Sequence, residues 1–203
     1  MKLFNNSTLK DAVNQWVTEK EKCLDKHGDI SIWDVSNVTD MERLFHNSNG
    51  DFKFFNDDIS KWDVRNVNNM NRMFCSAFQF NQDLSAWDVC NVKDMRLMFA
   101  QAHSFNSDIS KWDVSKVEEM NSMFTNAWLF NSNLENWNVS KVKNMRFMFY
   151  CAKSFNQDIS KWDVNSVKDM SAMFNCAESF NQDLSKWDVK NVKLWDADWI
   201  LFA

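Results

Sequence analysis

The chain has 203 residues, 45% apolar and 25% charged, with no proline, only two glycines and a net charge of −5. Eleven tryptophans, 18 phenylalanines and 12 methionines exclude a disordered, linker-rich or collagen-like chain. The acidic balance argues against nucleic acid as a partner, and no apolar run approaches the ~20 residues of a membrane span.

At the N-terminus, MKLFNNSTLKDAV lacks the apolar core and cleavage site of a secretory signal, so an intracellular protein is expected. Ser7 is predicted to cap a helix that carries Leu9, Ala12, Val13, Trp16 and Val17 on one face, with Gly28 beyond its end. Residues 1–28 are thus expected to form a capping helix over the first repeat. The five cysteines (23, 75, 90, 151 and 176) are odd in number, scattered and without a CxxC pair, as in a reduced chain.

From residue 29 to 194 the sequence repeats. The tripeptide W-[DN]-V places tryptophan at 33, 62, 87, 112, 137, 162 and 187; after a first interval of 29 residues, all others are 25. A full unit from Ile59 reads ISKWDVRNVNNMNRMFCSAFQFNQD. Trp62 and Val64 alternate with charged neighbours, which predicts a short strand. From Val67 the spacing changes to threes and fours through Met70, Met73, Phe74 and Ala77, which predicts a short helix. Phe80 re-enters the core, and Asn81–Asp83 turns the chain into the next unit. The expected fold is an α/β repeat solenoid, a right-handed coil of strand–turn–short-helix units with a parallel sheet on one face. Strands roughly 4.8 Å apart would turn each fixed position into a column. Trp33, Trp62, Trp87, Trp112, Trp137, Trp162 and Trp187 form the predicted interior ladder. Two phenylalanine columns lie beside it, at 45, 74, 99, 124, 149 and 174 and at 55, 80, 105, 130, 155 and 180. Asn56, Asn81, Asn106, Asn131, Asn156 and Asn181 follow the second column, suited to bonding the backbone of neighbouring coils. Residues 195–203 depart from the repeat and are expected to cap the far end or to join two copies end to end as a homodimer.

The motif F-N-Q-D-[IL]-S-K-W-D-V-x-x-V-x-x-M-x-x-M-F-x-x-A resembles the BspA-like repeats, a leucine-rich-repeat-like group of bacterial surface proteins that is also widespread in large DNA viruses. The resemblance implies leucine-rich-repeat architecture, and the missing export signal fits an intracellular member from such a virus.

No catalytic constellation emerges. His27, His46 and His103 fall in different columns without a neighbouring nucleophile, there is no glycine-rich phosphate loop, and no cofactor or metal is implied. Cys151 and Cys176 share a column, but helices roughly 8–10 Å apart would hold them too far apart for a disulfide. Two surfaces remain. On the strand face, Asp34, Asp63, Asp88, Asp113, Asp163 and Asp188 form a carboxylate column beside Lys61, Lys111, Lys161 and Lys186, read as a self-neutralising lattice paired across coils, as a cation site along the unpaired aspartates near Ala86–Asp88, or as a docking face. On the helical face, Phe78, Leu97, Trp128, Leu129, Phe147 and Tyr150 fill slots that other units leave polar, read either as inter-coil packing or as a protein-binding patch. The 19-residue offsets of Phe78 from Leu97 and of Trp128 from Phe147 are expected to pair them on adjacent coils. The extra residues around 49–54 are expected to project a loop. These readings point to a non-enzymatic protein–protein interaction module, with a glycan- or host-surface-binding adhesin as the alternative.

Overall fold

The computed structural model describes residues 3–46 and 50–194; the predicted C-terminal cap and dimer contact at 195–203, and Asn49 of the predicted loop, lie outside the described residues. Two α-helices open the chain, α1 (Asn6–Thr18) and α2 (Lys20–His27), followed by a 3-10 turn at Ile30–Ile32. The N-cap of α1 is Asn5, not Ser7. Its side chain accepts the amide of Thr8, whose hydroxyl in turn receives the Asn5 amide at 3.0 Å. Leu9, Ala12, Val13 and Trp16 form the buried face of α1. The indole of Trp16 lies edge-on to Trp33 at 5.7 Å and donates to Asp57 Oδ2 at 3.0 Å, so α1 closes the open side of the first coil. Gly28 ends α2 at φ 75°, where glycine avoids a Cβ clash.

The repeats are stacked coils, but the predicted α/β architecture is wrong. Among the described residues after Ile32 there is neither helix nor strand, and so no parallel sheet and no leucine-rich-repeat arrangement. Parallel pairing is reduced to isolated bridges, one per coil, running Asp40–Asn69–Asp94–Glu119–Asn144–Asp169–Leu194.

The backbone explains both failures. In the W-D-V segment the Trp62 amide closes a turn onto Ile59 O at 3.1 Å, and Asp63 Oδ1 receives the Arg65 amide, so the chain cannot run extended. The link between coils here is made by the indole. Trp62 Nε1 donates to Ile30 O at 2.9 Å, Trp87 to Ile59 O at 3.1 Å and Trp112 to Leu84 O at 3.0 Å, and the series continues to Trp187. Each Ile or Leu carbonyl thus serves two donors, its own coil's tryptophan amide and the next coil's indole. In the methionine segment, Val67, Met70, Met73, Phe74 and Ala77 are all fully buried, yet they do not lie on a helix. Overlapping turns join Met73 N to Met70 O, Cys75 N to Arg72 O and Ala77 N to Phe74 O. Arg72 and Ser76 sit at φ 55° and 63°, and the same left-handed positions recur through Leu97, Gln101, Ser122, Asn126, Phe147 and Cys151 to Ala172 and Cys176. Such residues break a right-handed helix. They turn alternate amides along the stack instead, so that Met70, Arg72, Phe74 and Ser76 donate to the carbonyls of Asp94, Arg96, Met98 and Ala100 at 2.7–2.9 Å.

Side chains fill the interior in register. The helical-spaced phenylalanines stack from coil to coil, Phe74 on Phe99 at 5.5 Å and Phe99 on Phe124 at 5.8 Å. Within each coil the second column packs tighter, as Phe99 does on Phe105 at 3.8 Å. The tryptophans are buried beside them, with Trp112 parallel to Trp137 at 6.5 Å. The asparagine column is a backbone tie: each Oδ1 accepts the amide of the next asparagine, from Asn56–Asn81 at 2.9 Å to Asn156–Asn181 at 3.0 Å.

Candidate functional site: an exposed aromatic and basic face

With coils in 25-residue register, the apolar slots fall into columns that differ from the expected pairs. Phe78 aligns with His103 and Trp128, linked by Ser104 N to Phe78 O at 3.1 Å and Leu129 N to His103 O at 3.2 Å. Leu97 and Phe147 belong to another column, two coils apart. No ring contact joins Trp128 to Phe147 among the described residues; Phe147 meets Tyr150 edge-on at 5.5 Å instead.

The outcome is a surface stack of three flat rings. Phe78 lies on His103 at 4.6 Å and His103 on Trp128 at 3.7 Å, the latter pair within 4° of parallel. Trp128 is 43% exposed and its neighbour Leu129 56%. Lys53 sits 6.0 Å from the Phe78 ring at one end and also 5.2 Å over Phe54, which is itself exposed. Lys153 follows Trp128 in the same column and pairs with Glu178 at 3.0 Å. Burial between two rings pushes the His103 imidazole below its ordinary range, which keeps it neutral and able to stack. The residue types at these slots give no hint of His103, because a lone histidine in a polar slot carries no apolar signal; the 25-residue spacing 78–103–128 is the signal that could have found it. The inserted segment folds inward at Phe52, which is buried against Phe45 and Phe55.

The methionine segments carry arginines in two adjacent columns, Arg72 in one and Arg96 and Arg146 in the other. Arg146 covers the Phe147 ring at 4.6 Å, Arg72 reaches Asn71 Oδ1 at 3.4 Å, and Arg96 forks onto Asp94. Further round the coil, Glu118, Lys141, Lys143, Asn165, Ser166 and Lys168 line a groove of about 520 Å³.

The tryptophan side is different. Asp34, Asp63, Asp88, Asp113, Asp163 and Asp188 each accept the amide two residues on, closing a turn, and Asn138 does the same with Ser140. A second column (Asp58, Asp83, Asp108, Asn133, Asp158 and Asp183) repeats the device at 2.8–2.9 Å. The serine hydroxyl first and its amide second hold Asp34, Asp58, Asp108 and Asp113 below the ordinary carboxylate range, and the amide leads at Asp83, Asp158 and Asp183. The expected cross-coil pairing of the lysines with these aspartates is absent among the described residues. Lys161 pairs with Glu135 at 2.6 Å, while Asp63 and Asp188 are met within their own coils by Arg65 and Lys190.

Cys75, Cys90, Cys151 and Cys176 are free thiols. Cys151 and Cys176 stand on hydrogen-bonded neighbouring coils, the Cys151 amide donating to Asn175 O at 2.8 Å, so the separation expected from packed helices does not apply. Among the described residues no three His, Cys, Asp or Glu side chains are placed to hold a metal, and no helix is long and apolar enough to cross a membrane.

These features define a repeat protein whose coils are made of side-chain-capped turns. The family described as "Mycoplasma protein of unknown function, DUF285" matches residues 2–133 and again 98–197, and the chain belongs to it. No curated protein and no solved structure matches the chain.

Proposed function

We propose that the chain is a non-enzymatic protein-interaction module that displays its aromatic and basic face on a stacked-repeat scaffold. The observation that carries this reading is the half-buried Phe78–His103–Trp128 stack, which ends on the exposed Trp128 with the exposed Leu129 beside it. Exposed aromatic side chains and arginines are the composition of interface centres. Both faces of His103 and one face each of Phe78 and Trp128 are spent within the stack, which reduces the flat surface offered to a sugar and works against the adhesin-like alternative. The resemblance to BspA-like repeats rests on the repeat motif and fits a display scaffold, and the free thiols support a reducing, intracellular setting.

A photoreactive residue placed at Leu129 tests the reading. A discrete protein adduct that disappears in Trp128→Ala supports it. Equal adducts from a probe at Lys111, on the other side, would overturn it.

A further inference from the structure

Ser76, Gln101, Asn126, Cys151 and Cys176 form one column of the stack, and all five are left-handed, at φ 63°, 61°, 56°, 53° and 59°. Each of the first four donates its amide one coil onward at 2.7–2.8 Å, Cys151 to Asn175 O. With the same backbone conformation in every coil, the Cβ bonds of the column leave in one direction and neighbouring side chains meet. Ser76 and Gln101 do so, the hydroxyl donating to Oε1 at 2.8 Å. At the other end of the column the two neighbours are cysteines. Their coils are held in register on both sides of the pair, by Phe149 stacked on Phe174 at 5.5 Å and by Lys153 paired with Glu178 at 3.0 Å. Burial first, then a hydrogen bond with the Cys176 thiol and that sulfur's charge, push the Cys151 thiol up. Cys151 is half-buried and Cys176 exposed, so Cys176 is the sulfur that a reagent reaches first. Paired backbones roughly 4.8 Å apart fall within the Cα separation of about 4.4–6.8 Å that a disulfide accepts. Repetition by translation sets the Cβ atoms about as far apart as the Cα atoms, just beyond the ~3.5–4.5 Å of a relaxed bridge, so the bond is easily reduced again.

We propose that Cys151 and Cys176 are a thiol–disulfide exchange site whose substrate is a small-molecule disulfide and whose product is a reversible bridge between two coils. The Cys176 thiolate attacks one sulfur of R–S–S–R and expels R–S⁻; the Cys151 thiolate then attacks Cys176 Sγ and expels the second R–S⁻. Two S–H bonds are lost and one S–S bond forms in the protein, while R–S–S–R takes up two electrons and two protons and leaves as two R–SH. In a reducing setting the pair stays as thiols, and it closes as the small disulfide accumulates. The bridge ties the coil of Cys176 to the rest of the stack. The proposal is independent of the partner-binding reading.

The test treats the full chain with glutathione disulfide, blocks the remaining thiols with iodoacetamide and reads unreduced tryptic peptides by mass spectrometry. The peptide 147–153 is expected to be joined to 169–186, and reduced glutathione should separate them. In Cys151→Ser a glutathione adduct should accumulate on Cys176, whereas in Cys176→Ser the adduct on Cys151 should form about tenfold or more slowly. Serine already occupies this column at Ser76 with the same left-handed backbone, so both variants should keep the fold. Closing the bridge should slow hydrogen exchange at the amides of Phe149 and Cys151, which bond to the coil of Cys176, by about tenfold or more. The same treatment should leave exchange in Cys151→Ser unchanged. Stable glutathione adducts on both cysteines of the parent without a bridge would overturn the proposal. So would links between chains in place of the link within one, equal bridging through Cys75 or Cys90, or a bridge that leaves those two amides exchanging as before.

Discussion

Asp108 receives the Ser110 amide at 2.9 Å and closes a bend that most proteins would make with glycine or proline. The same device at Asn133 shows that a neutral amide oxygen can also close the bend. Asp108→Ala should therefore cost about 1 kcal/mol and Asp108→Asn much less, read from urea midpoints. Hydrogen bonds from Ser110 keep the folded carboxyl below its unfolded value. The stability linked to it is complete above pH about 4 and is lost as pH falls through the folded value. With Asp34, Asp58, Asp83, Asp113, Asp158 and Asp183 shifted the same way, stability should decline as pH falls below about 4, read from urea midpoints by circular dichroism. His103 shifts downward through burial, so its ring should titrate below about 6.5 by NMR. Trp128→Ala uncovers one ring face and should move that midpoint back up. An unchanged midpoint would mean the Trp128 ring does not shield it.

At the level of the element, the interior was legible and the backbone was not. Tryptophan, valine, methionine and phenylalanine recur at fixed spacing because each must fill the same volume in every coil, and that spacing is visible in one chain. A run such as Val67, Met70, Met73, Phe74 and Ala77 buries the same side chains whether it is a helix or a series of four-residue turns. What distinguishes the two is a left-handed residue at every fourth position, and here those positions carry arginine, serine, leucine, glutamine, asparagine, phenylalanine, alanine or cysteine, never glycine. A left-handed non-glycine residue costs roughly 1 kcal/mol, offset from Arg43 to Cys151 by the inter-coil bond that each donates. Ser122, at φ 58°, donates its amide to Arg146 O at 2.8 Å. Ser122→Gly keeps that bond, relieves the Cβ clash and should stabilise the protein by up to about 1 kcal/mol, measured by thermal or urea unfolding. Of the candidate site, the exposed apolar residues were legible as departures from the repeat. Their partners were not, because the 19-residue offset compares side chains in different columns and His103 is neither apolar nor periodic.

The whole molecule is close to one-dimensional: each coil touches the one before and the one after, and helices α1 and α2 cover one end. Trp16 anchors that cover through its buried indole, the edge contact with Trp33 and the bond to Asp57. Trp16→Ala should cost about 3–5 kcal/mol, concentrated at the start of the stack. Hydrogen exchange is expected to accelerate at the amides of Met41 and Phe45 while those of Met145 and Phe149 stay protected. Uniform acceleration along the chain would mean that the coils unfold as a single cooperative unit instead.

The carbonyl shared by two tryptophan donors has a consequence for how such chains change length. Every seam between coils uses identical wiring, so a duplicated block of 25 residues brings its own acceptor and finds a donor waiting on the far side. Growth or contraction by whole blocks leaves every existing joint intact, whereas a gain or loss of a single residue in the W-D-V segment would orphan an indole on one side and a carbonyl on the other. The gene can lengthen its product as one lengthens a chain of identical links, and the display face grows with it.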